Sequence, residues 1–80
     1  MRTVCLEVTF SRNGKEHSRK YYNADEQAKH MFDHLCESDD LDYVSIEALI
    51  GDLKNGRFTP IQSIEKKIYN PSFEKAQATT

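Results

Sequence analysis

Eighty residues, 38% hydrophobic, 30% charged and without tryptophan, provide one small domain with a simple core and little room for a deep enzyme pocket. The composition is polar for a folded protein yet short of the disordered class, and the net charge of -2 excludes a uniformly basic nucleic-acid binder. Two cysteines, Cys5 and Cys36, are too few for the disulfide framework of a small secreted domain, and no apolar run is long enough to span a membrane. The alternating opening MRTVCLEVTFSR lacks the apolar segment of a secretory signal, so the expected location is cytoplasmic.

Val4, Leu6, Val8 and Phe10 alternate with polar residues, which predicts a strand buried on one face. Asn13-Gly14 tolerates the positive φ angles of a two-residue hairpin turn and fixes the pairing. Arg12 then faces Lys15, Phe10 faces His17, Val8 faces Arg19, Leu6 faces Tyr21, and Glu7 meets Lys20 on the other face. This register turns His17 and Arg19 toward the apolar row, as expected of an edge strand guarded against unwanted pairing. The same hairpin gathers Arg12, Lys15, Arg19, Lys20 and Tyr22, which could grip phosphates and stack on bases.

Ala24, Ala28, Met31, Phe32 and Leu35 recur at three- and four-residue steps and predict a helix over 24–36. Asn23 is expected to cap it, with Glu26 completing a capping box. His30 and His34 stand one turn apart and could share a metal ion, with Glu26, Asp33 and Glu37 completing a shell, but no flanking motif supports such a site and none is expected. No catalytic residue and no cofactor are expected. Cys5 falls on the sheet face away from the helix, so a Cys and His catalytic pair lacks geometric support, and Cys36 closes the apolar stripe.

CESDDLDY, residues 36–43, reads as a solvated acidic loop. The following segment has two periods: Val44, Ile46, Ala48 and Ile50 suit a strand, whereas Ile46, Leu49, Ile50 and Leu53 suit a helix. The strand is favoured, because a two-stranded hairpin alone is marginally stable. If the edge of that third strand is bare it could pair across a two-fold axis, so monomer and homodimer are both open. Asn55-Gly56 suits a second hairpin turn, but Thr59-Pro60 suits a helix start and Ile61, Ile64 and Ile68 keep helical spacing, so the last element is a fourth strand or a short helix. The expected fold class is α+β, a small antiparallel sheet with one covering helix in the order β-β-α-β plus that fourth element. A single domain is expected over 1–70 and a flexible tail over 71–80.

Charge is segregated along the chain. Residues 1–22 hold five basic and two acidic side chains, 23–53 hold nine acidic against Lys29 alone, and 54–80 hold five basic and two acidic. The acidic residues Asp25, Glu26, Asp33, Glu37, Asp39, Asp40 and Asp42 lie on the outward helix face and the loop beyond it. A field of one sign there speeds encounter with a basic surface and repels nucleic acid. Small acidic proteins of phages and mobile elements that occupy basic nucleic-acid-binding surfaces are similar in size and charge layout, a resemblance of type carried by no specific motif. The expected function is a small intracellular, non-enzymatic regulatory protein that docks this acidic surface on a basic partner protein. The alternative is a nucleic-acid-binding module using the basic hairpin.

Overall fold

The computed structural model describes residues 2–38 and 40–70. Five elements follow one another: β1 (Arg2–Arg12), β2 (Lys15–Tyr22), α1 (Asp25–Cys36), β3 (Tyr43–Lys54) and β4 (Arg57–Tyr69). The strands form one antiparallel sheet in the order β2-β1-β3-β4, so the fold is α+β with the element order β-β-α-β-β. The fourth element is a strand of 13 residues, which removes the short-helix alternative. Pro60, which cannot donate to a ladder, sits in this edge strand, where one face of the backbone has no strand to donate to.

The N-terminal hairpin has the register that its Asn-Gly turn dictates: Arg12 opposite Lys15, Phe10 opposite His17, Val8 opposite Arg19, Leu6 opposite Tyr21 and Glu7 opposite Lys20. Both Asn13 and Gly14 take positive φ, +53° and +78°, as the turn requires. On the helix-side face, Leu6, Val8 and Tyr21 pack beneath Ala28, with Ala24, Met31, Leu35, Ile46 and Ala48 around them. Phe10 stacks on His17 with ring centres 5.0 Å apart, and the Arg19 guanidinium lies 5.3 Å over the Tyr21 ring. The two inward-pointing polar residues of the edge strand are thus held by neighbouring rings.

The opposite face has a small core of its own. Cys5, opposite both Tyr22 and Leu49, is fully buried, and the Tyr22 and Phe58 rings meet edge to face at 5.7 Å although they start from opposite edges of the sheet. Gly51 makes this closure possible. A Cβ there would stand 2.9 Å from Phe58 Cζ and closer still to the Thr59 carbonyl oxygen. The register between β3 and β4 slips twice, between Ala48 and Leu49 and between Ile50 and Gly51, which leaves Ile64 and Ile61 as extra residues on β4.

Three sequence expectations are corrected. The helix begins at Asp25 with Ala24 at its N-cap and no side-chain cap; Asn23 instead takes a left-handed turn at φ +53°, so the capping box is not formed. The 36–43 segment is not wholly solvated, because Leu41 is fully buried. The third strand has no bare edge, since β1 and β4 flank it. The expected tail, 71–80, lies outside the described residues.

Candidate functional site

At 100° per residue, Glu26, Asp33 and Glu37 fall on the side of the helix opposite Ala28, which is fully buried against the sheet. All three carboxylates are exposed, and the row spans about 16 Å at 1.5 Å per residue. Asp25 is exposed at the first turn, where the helix dipole favours it. Among the described residues the ion pairs are Arg2 with Asp52, Arg12 with Asp40, Lys20 with Glu7 and Lys67 with Glu65. None of them engages Asp25, Glu26, Asp33 or Glu37.

The loop carboxylates are used differently. The Asp42 carboxylate accepts hydrogen bonds from the Ser11 hydroxyl and the Gly14 amide, both at 2.9 Å, while the Asp42 amide donates to the Ser11 carbonyl at 2.8 Å. The Gly14 amide and then the Ser11 hydroxyl hold its carboxyl below the usual carboxylate range. Asp40 accepts from the Ser38 hydroxyl at 2.7 Å and pairs with Arg12 at 3.1 Å, and that hydroxyl, ahead of the guanidinium, lowers its pKa. These two acids clamp the loop to the tip of the hairpin, with Leu41 buried between them. Tyr43 adds a hydrogen bond to Glu16 on β2. Asp39 lies outside the described residues.

The basic hairpin residues are dispersed. Arg12 is paired with Asp40, Lys20 with Glu7 at 3.3 Å, Arg19 lies on Tyr21, and Tyr22 packs on Phe58. Arg19 and Lys20 project from opposite faces of the sheet, as neighbours in a strand must. Lys15 stands exposed beside the turn. His30 lines a shallow depression with Glu26, Arg19 and Tyr21 on the β2 side of the helix, and among the described residues no three His, Cys, Asp or Glu side chains converge as a metal site would need.

A groove of about 230 Å³ runs between the helix and β4. Its floor is Leu6, Ile46 and Ala48, Phe32 forms one wall, and Lys29, Asp33, Glu65 and Lys67 form the rim. Periodicity alone did not reveal it, because it exists where the helix stops short of the fourth strand.

The chain matches no protein-family model, no curated protein and no solved structure. Among the described residues, no helix is long and apolar enough to cross a membrane.

Proposed function

We propose that this protein is a non-enzymatic binding protein that docks the acidic helix on a basic surface of a partner protein. The observation that carries this reading is the contrast in how the charges are used: the hairpin cations Arg12, Arg19 and Lys20 are engaged within the molecule, whereas Glu26, Asp33 and Glu37 form one outward row without an ion pair among the described residues. Asp25 extends this surface at the first turn. Asp39, Asp40 and Asp42 belong to the same acidic segment, and Asp40 and Asp42 act by holding the loop in place. The groove beside Asp33 offers an apolar floor, so the fitting partner presents lysines or arginines with an apolar side chain next to them. Occupying such a surface would block nucleic acid from it, the mode of a small intracellular inhibitor. Use of the hairpin for nucleic-acid binding is the second reading, weakened by the engagement of Tyr22 and of three of the four cations Arg12, Lys15, Arg19 and Lys20.

Reversal of Glu26, Asp33 and Glu37 to lysine is expected to abolish capture of the partner from host extract, and wild-type capture should weaken as salt rises. Unchanged capture by the triple variant, together with a salt-dependent mobility shift of nucleic acid lost in Lys15→Glu, would replace this reading with the second one.

A further inference from the structure

Two edges of the sheet are open among the described residues, and they differ in chemistry. β2 carries no exposed aliphatic side chain and is guarded by His17 and Arg19. β4 carries exposed Ile61, Ile64 and Ile68, at 53%, 57% and 66% of their full accessibility. Lone apolar side chains on a surface need no explanation, but three on one edge strand form a template for another strand.

The sequence of that strand also says which strand fits. Two copies pairing antiparallel across a two-fold axis normal to the sheet oppose each residue to its mirror position, and both must point to the same face. About Lys66, Glu65 mirrors Lys67 and Ile64 mirrors Ile68, so the interface gains two Glu–Lys pairs and two Ile–Ile pairs. The registers centred on Glu65 or Lys67 set an isoleucine against Lys66 and lose both Glu–Lys pairs. The cost of the favoured register is Lys66 facing its own copy. Glu47, opposite Lys66 on β3 in each chain, lies beside that pair and offsets it. Glu65, Lys66, Lys67 and Ile68 lie within the regular stretch of β3–β4 pairing, Ala48 opposite Glu65 through Val44 opposite Tyr69, and Ile64 is the bulged residue at its end, so the two Ile64–Ile68 pairs flank the regular ladder.

We infer that β4 pairs with β4 of a second copy about a two-fold axis at Lys66, giving an eight-stranded sheet that carries both helices on one face. Analytical ultracentrifugation of the full chain is expected to give twice the 9.3 kDa chain mass. Glu65→Lys and Lys67→Glu should each weaken the dimer about tenfold, because two attractive pairs become repulsive, and the double exchange should restore it. The exchanged side chains are exposed, so folding is not at stake. In a Cys36→Ser background, Lys66→Cys should cross-link to its own copy under a soluble disulfide oxidant, and Gln62→Cys should not, since only the former lies on the axis. A monomer at the highest soluble concentration, a dimer indifferent to both single exchanges, or a double exchange without rescue would each overturn the inference.

Discussion

Leu41 shows how much one side chain decides. It is the sole apolar residue of an otherwise polar and acidic loop, and it is fully buried while Asp40 and Asp42 on either side are exposed. Leu41→Ala is expected to cost about 2–5 kcal/mol in denaturant unfolding, a large share of the stability of a domain this size. A loss within the range of an ordinary surface substitution would show that the loop is held by its hydrogen bonds instead. Nothing in the sequence marks Leu41, because burial of an isolated residue leaves no period to detect. Asn23 misleads for a related reason: asparagine suits both an N-cap and a left-handed turn, and only the path of the chain from β2 into α1 selects the turn.

At the level of elements, the hairpin is legible because a two-residue turn admits a single register, and the helix because its apolar stripe fills three turns. The second half is not. Residues of β3 satisfy two periods at once, and pairing with β1 on one side and β4 on the other resolves them. In β4 the apparent helical spacing of Ile61, Ile64 and Ile68 combines a bulge with ordinary strand steps: an extra residue turns a step of two into the step of three from Ile61 to Ile64, and the step of four to Ile68 is two strand steps. The candidate groove was hidden for the same reason, as its far wall is the strand left undecided. The loop between α1 and β3 answers to pH. Asp40 and Asp42 have carboxyl pKa values lowered by folding, so their contribution is complete above the unfolded carboxylate value and disappears as pH falls through the folded ones. The Gly14 amide resonance should therefore shift below about pH 4, and Asp42→Asn should remove that transition. A Gly14 resonance that titrates identically in the variant would show that the clamp is not set by Asp42.

For the whole molecule, the outward face of the sheet orders its charges across all four strands. Lys20, Glu7, Glu47 and Lys66 occupy one row, with the two central carboxylates opposite each other and a lysine at each end. Ser63 donates to Glu47 at 2.8 Å, so the like-charged central pair is offset on both sides by Lys20 and Ser63. The helix face is organised otherwise, with an acidic crown above a core centred on β1 and β3. The helix packs on β1, β2 and β3, and β4 is held chiefly through its ladder to β3. Opening of such a chain is therefore lopsided. Amide hydrogens that bond β1 and β3 to each other should exchange only when everything unfolds, while those of the distal half of β4 and the β3 amides that face it leave early by peeling from the rim, and dilution should hasten only the latter.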